Sequence, residues 1–151
     1  MEKMTIWFDM DGTLADLYNV TDWLSKLRAY DASPYEQAEV MHNMSVLARY
    51  LNMARRAGYE IGIISWLSKE PQAEYDKAVI QAKLNWLHLH LNSVNWDYIR
   101  IVAHGTPKST FMNSDLDILF DDEEKNRNEW RGSSYSPADI MEVLKELIKK
   151  A

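Results

Sequence analysis

The chain has 151 residues, 46% of them apolar and 26% charged, which is enough for one compact domain with a sizeable core and leaves no need for a second. It has no cysteine, so disulfides and thiolate metal sites are excluded and any metal must sit on histidine or carboxylate ligands. A net charge of −6 at pH 7 argues against a polynucleotide track, which needs many Lys and Arg contacts to phosphates, but one small anion can still be held locally. The opening MEKMTIWFD lacks the apolar segment of a secretory leader, and no apolar run approaches the roughly 20 residues of a membrane span. A soluble, cytoplasmic protein is the expectation.

In chain order, the first element is a short strand-like run, residues 5–8, that leads straight into Asp9-Met10-Asp11-Gly12-Thr13. Carboxylates at alternate positions of an emerging strand point the same way, and two like charges that close repel unless a cation, or an anionic substrate with its metal, lies between them. A short helix is expected over 22–30. Ser33-Pro34-Tyr35-Glu36 reads as a capping box with proline at the first helical position, so a long helix is expected from about Pro34. Its apolar residues Val40, Met44, Leu47, Leu51 and Ala54 recur at spacings of three and four, and Gly58 after Arg55 and Arg56 supplies the stop.

A second strand over 60–64 ends at Ser65, and a helix over 71–91 follows. A third strand covers 98–103. The loop HGTPKST, residues 104–110, precedes a fourth apolar run, Ile118-Leu119-Phe120, that ends in Asp121 and Asp122. Ser136-Pro137-Ala138-Asp139 then caps a final helix, whose Lys145, Lys149 and Lys150 suit its negative C-terminal end.

Strands alternating with helices imply a parallel sheet with right-handed crossovers, and such sheets bind ligands outside the carboxyl ends of their strands. Asp9 and Asp11, Ser65, Lys108, and Asp121 with Asp122 all fall at or just past such ends and can converge on one spot. Singly, each has an ordinary reading. Asp-Gly is a turn signal, the acidic pair before Glu123 and Glu124 could be a charged helix start, and a lone serine or lysine carries no meaning. Jointly, acid, acid, hydroxyl, amine and acid arrive at the same end of one sheet. A receiver-type phosphoacceptor domain combines similar residues, but its acidic pair comes first, its phosphorylated aspartate sits on a middle strand, and it lacks the DxDGT arrangement.

Asp9-Met10-Asp11-Gly12-Thr13, Ser65 after IGII, Lys108 and ILFDD resemble, in order, the four motifs of the haloacid dehalogenase superfamily of phosphohydrolases. The resemblance spans nearly the whole chain. It implies a three-layer, Rossmann-like α/β fold with a parallel sheet, as a single domain over 1–151, with a small helical cap insert over about 15–58. It implies Asp9 as nucleophile forming an aspartyl-phosphate, and Asp11 as the acid and base that protonates the leaving oxygen and then activates water. Ser65 and Lys108 would hold the phosphate. Mg²⁺ would sit on Asp9, the backbone carbonyl of Asp11, and a carboxylate of the Asp121/Asp122 pair, with the choice between those two left open. Thr13 would be a turn hydroxyl rather than a nucleophile.

Within the superfamily, Lys83-Leu84-Asn85-Trp86-Leu87, Lys108, ILFDD and Trp130 are similar to the 5'(3')-deoxyribonucleotidases, which implies a nucleoside monophosphate as the small phosphorylated substrate. A sugar phosphate, or a module that binds metal and phosphate without turnover, are the alternatives. Leu17, Tyr18, Trp23 and Trp66 are the candidates for holding a base. Trp66 departs from the pattern, because a small polar residue often follows the serine or threonine of motif two. Lys83 reads as a solvated helix lysine in preference to a phosphate contact. His88 and His90 lie two apart on a helix, which is the wrong spacing for a zinc pair, and His104 reads equally as loop or substrate-facing.

Overall fold

A computed structural model describes residues 4–151. Five parallel strands form the central sheet: β1 Thr5–Phe8, β4 Glu60–Trp66, β5 Tyr98–Val102, β6 Ile118–Phe120 and β7 Ser133–Tyr135, in the order β5-β4-β1-β6-β7. β1 is central, and all four of its residues are buried, which is why it reads as an uninterrupted apolar run. Phe8 is in register with Ile63 on one side and Phe120 on the other, so the residues that follow these three emerge at the same edge. The chain winds outward from β1 through β4 to β5, then returns to β6 and β7 on the other side. β1 is therefore the switch point, where a crevice opens beyond the strand ends.

Right-handed crossovers assign the connections to faces. On one face, Ile6, Phe8, Ile61, Ile63, Ile118 and Phe120 pack against α3 Met44–Arg56, α4 Ala73–His90 and α6 Ile140–Lys150 through Leu47, Leu51, Trp86, Leu87, Ile140 and Leu144. The other face is thinner. Trp7, Ile64 and Leu119 pack there under Trp130, with Phe111 and Met112 alongside, and α5 Glu124–Glu129 lies on the crossover from β6 to β7. Gly62 makes room for the Trp7 ring, whose carbons would lie 2.5 Å from any Cβ at that position. Buried Asp117 ties this layer together, accepting from Thr5 N at 3.0 Å, Trp7 Nε1 at 3.1 Å and Asn113 N at 2.8 Å, while its carbonyl takes Trp130 Nε1 at 2.9 Å. No helix among the described residues is long and apolar enough to cross a membrane.

Between β1 and α3 lies an insert that holds a two-stranded ribbon, β2 Ala15–Asp16 with β3 Glu39–Val40, and two short helices, α1 Trp23–Arg28 and α2 Ser33–Gln37. It has its own apolar cluster, in which Leu17 and Tyr35 meet Tyr75, Val79 and Ala82 of α4. Trp86 Nε1 donates to Ala38 O at 2.8 Å, and the Tyr35 hydroxyl shares a 2.7 Å hydrogen bond with Ser68 Oγ. The stretch 15–58 thus divides in two: its first part docks on α4, and α3 packs in the main helical layer.

The expected long helix from Pro34 to Gly58 is corrected. Helix α2 stops at Gln37 and the chain turns extended to pair β3 with β2. Asn43 then starts α3 afresh, its side chain accepting from Val46 N at 3.2 Å. The capping box is not formed either, because Ser33 lies inside α2 and Glu36 takes a 2.5 Å hydrogen bond from Asn85 Nδ2. Ser136 does not cap the last helix, since a short 3-10 turn, Pro137–Asp139, precedes α6. Strand β7 was not anticipated: Ser-Ser-Tyr carries almost no apolar signal.

Candidate active site

The loop after β1 turns tightly enough for Asp9 and Asp11 to serve different partners. Thr13 N, Leu14 N and Ala15 N all donate to Met10 O at 2.9 to 3.1 Å, and Gly12 adopts φ 80°. A side chain at Gly12 would also collide with the Asp122 carboxylate and the Tyr18 ring. Gly12 is therefore required both for its backbone angle and for the approach of Asp122.

Asp9 Oδ2 accepts from Thr13 Oγ1 at 3.0 Å, and Oδ1 accepts from Lys108 Nζ at 2.9 Å. Lys108 sits in a 3-10 turn, Lys108–Phe111, and its ammonium also donates to Asp121 Oδ2 at 2.6 Å. Asp121 is further held by Asn126 Nδ2 at 3.1 Å and, at Oδ1, by Glu123 N at 2.9 Å. Burial works against the charge on Lys108, but the Asp9 and Asp121 carboxylates outweigh it and hold its pKa above the usual value.

One carboxylate oxygen each of Asp9, Asp121 and Asp122 lie within 4.8 Å of one another, a spacing that fits a hard cation. Asp122 Oδ1 is buried and has no hydrogen-bond partner. Burial, then the charge of Asp9, pushes Asp122 up to about 8 and Asp121 to about 6. An orphaned buried oxygen and carboxyls that resist ionisation are what a site shaped for a cation displays without one. The donor set therefore fits Mg²⁺, with Asp122 the better placed of the pair, since both oxygens of Asp121 already have protein partners.

Asp11 faces elsewhere. Its Oδ2 accepts from Lys83 Nζ at 3.0 Å, and its pKa is raised by burial and the charge of Asp9 despite the lowering effect of Lys83. Lys83 is fully buried, which corrects its reading as a solvated helix lysine. It also donates to Ser65 Oγ at 2.6 Å and to Trp66 O at 2.7 Å. The signal lay in its spacing: Lys83 is four residues after Val79 and three before Trp86, on the stripe of α4 that faces inward.

The aromatic candidates separate. Leu17 is buried in the insert cluster, and Trp66 is tied down by Nε1 donating to Thr106 O at 2.9 Å, with Lys108 Nζ 5.3 Å from its ring centre and His104 packed edge-on. Tyr18 is 45% exposed, feels the charges of Asp122, Asp11 and Asp9, and is braced edge-on by Trp23 at 5.0 Å. His42, which sequence reasoning did not single out, shares a 2.7 Å hydrogen bond with Thr13 O and so links the insert to the Asp9 loop. Trp86 and Trp130 are buried and bonded to backbone carbonyls, so they serve the fold.

No protein-family model matches this chain, and no curated protein matches it in sequence. Solved structures do match. A chain of the Pnkp1/Rnl/Hen1 complex is similar at a TM-score of 0.56 and 19% identity, over 89% of this chain and 46% of that one. A D,D-heptose 1,7-bisphosphate phosphatase from Burkholderia thailandensis is similar at a TM-score of 0.51 and 16% identity, over 83% of this chain and 70% of that one. The chain thus spans less than half the length of the first of these neighbours. At such identities the likeness is one of fold: a five-stranded parallel sheet flanked by helices, Rossmann-like in architecture.

Proposed function

We propose that this chain is a Mg²⁺-dependent phosphomonoesterase that works through an aspartyl-phosphate on Asp9 and acts on nucleoside monophosphates. The observation that carries the reading is the meeting, at the C-terminal ends of β1, β4 and β6, of three carboxylates around an ion-sized space with two buried lysines and a serine hydroxyl. Transfer of a phosphoryl group needs a nucleophile, a proton donor to the leaving oxygen, and positive charge around the phosphate oxygens.

Asp9, oriented by Thr13 and Lys108, attacks phosphorus as the ester P–O bond breaks. Asp11, whose raised pKa lets it keep a proton, gives that proton to the leaving oxygen and then takes one from the water that opens the acyl phosphate. Ser65 and the free N–H of Lys108 hold phosphate oxygens. Asp9, the carbonyl of Asp11 and Asp122, with Asp121 beside them, would hold Mg²⁺. The bound ion supplies the charge that lets an anionic nucleophile approach an anionic ester.

The insert between β1 and α3 is read as the cap, and the cysteine-free chain suits a cytoplasmic setting. Exposed Tyr18, beside the carboxylates, is the ring best placed to stack on a base. A sugar phosphate is the second reading, because a heptose bisphosphate phosphatase shares the fold. The test is an aryl phosphate with Mg²⁺, followed by a panel of 5' and 3' nucleoside and deoxynucleoside monophosphates against sugar phosphates. Turnover that is lost in Asp9→Asn, with nucleotides preferred, is expected. No activity across the panel would instead mark a binding module.

A further inference from the structure

Two buried lysines in one small site call for two jobs, and their hydrogen bonds differ. An ammonium has three N–H donors and no acceptor. Lys83 places all three on protein oxygens, Asp11 Oδ2, Ser65 Oγ and Trp66 O, at 3.0, 2.6 and 2.7 Å. The ring of Tyr35, from the insert, covers it with Nζ 4.7 Å from the ring centre. Lys108 has two acceptors, Asp9 Oδ1 and Asp121 Oδ2, which leaves one N–H for a ligand.

Resting on the phosphatase reading above, we propose that Lys83 is a positioning residue and not a phosphate ligand: it pins the Asp11 carboxyl and sets the direction of the Ser65 hydroxyl. Because Ser65 Oγ accepts from Lys83, its own O–H is left to donate, the polarity a phosphate oxygen requires. Because Asp11 Oδ2 is engaged, the carboxyl is kept from swinging toward Asp9, Asp121 and Asp122, and Oδ1 remains to serve the leaving oxygen. Tyr35 closes the fourth side, so the insert completes this arrangement from outside the main sheet.

The test compares an alkyl phosphate, whose alkoxide must be protonated to leave, with p-nitrophenyl phosphate, whose leaving group departs without a proton. In Lys83→Met, kcat/KM, which reports the step that expels the leaving group and not the later hydrolysis common to both esters, should fall by about 10²-fold on the alkyl ester, the scale of a lost general acid, and by less than about tenfold on the nitrophenyl ester. Competitive inhibition by orthophosphate should weaken no more than it does in Ser65→Ala, because the direction of that one hydroxyl is all the phosphate loses. Lys83→Arg keeps the charge but mismatches the three-point geometry, and should show the same selectivity between esters if the methionine variant does not fold. Orthophosphate inhibition weakened well beyond that of Ser65→Ala would make Lys83 a ligand, and equal losses of kcat/KM on both esters would make it merely structural; either overturns the proposal. A wild-type protein that turns over neither ester would overturn the phosphatase reading itself, and Lys83 with it.

Discussion

Asp122 is the residue at which the site and the stability of the chain meet. Its carboxyl is lifted to about 8, and that of Asp121 to about 6, by burial and the charge of Asp9. The unfolded chain would release both protons near the ordinary carboxylate value of about 4. Between those limits the folded state binds more protons than the unfolded one, so stability without metal should fall as pH rises from about 4 to about 8. A bound cation would replace those protons. The rise in Tm on adding Mg²⁺ at fixed concentration should therefore grow from about pH 6 to about pH 8 and level off above, and Asp122→Asn should flatten the trend. A Mg²⁺ effect independent of pH would contradict this. Asp11→Asn, in contrast, should still bind orthophosphate yet lose about 10² to 10⁴ in turnover, and an unchanged rate would remove Asp11 from the chemistry. Asp9, Ser65 and the Asp121/Asp122 pair were legible in the sequence because each follows an apolar run. Lys108 was legible only through its order among the motifs, and Lys83 reads as solvated in the sequence because a lysine is so seldom fully buried, although its place on the helix is an inward one.

At the scale of elements, β1, β4 and β6 were legible as continuous apolar runs buried on both faces, and β5, a partly exposed edge strand, through its β-branched Ile99, Ile101 and Val102. β7 lies at the sheet's edge and is held by backbone pairing with β6, which leaves no trace in side-chain type. The break between α2 and α3 was hidden because Val40 falls four residues before Met44 and imitates helical spacing, although Val40 belongs to the ribbon with β2. Asn43 was the available stop-and-start signal. Asn43→Ala should lower stability by about 1 kcal/mol, as for other lost N-caps, measured by urea unfolding. Gly62→Ala should be worse, by about 1 to 3 kcal/mol, since its methyl would press on the Trp7 ring in a layer that Asp117 holds rigidly. Wild-type stability in that variant would mean that the thin face of the sheet yields more easily than its hydrogen bonds imply.

For the whole molecule, the sheet order brings distant sequence together: β1 lies between β4 and β6, so Asp9, Ser65 and Asp121 meet at the same end of the strands although 112 positions separate the first from the last. The insert docks on α4 through Leu17, Tyr35 and Val79, and leaves Tyr18 open beside the carboxylates. The proposed substrate choice would rest on this exposed rim, whose residues sit in short irregular segments with no periodic pattern, which is why the sequence points to a reaction more readily than to a substrate. Everything assigned to the site depends on Asp9 taking the phosphoryl group. The direct measurement is peptide mapping by mass spectrometry of protein quenched in acid during turnover of a phosphomonoester with Mg²⁺. The account predicts phosphate on Asp9, absent without Mg²⁺ and absent in Asp9→Asn; turnover that continues in Asp9→Asn, or phosphate found on another residue, would contradict it.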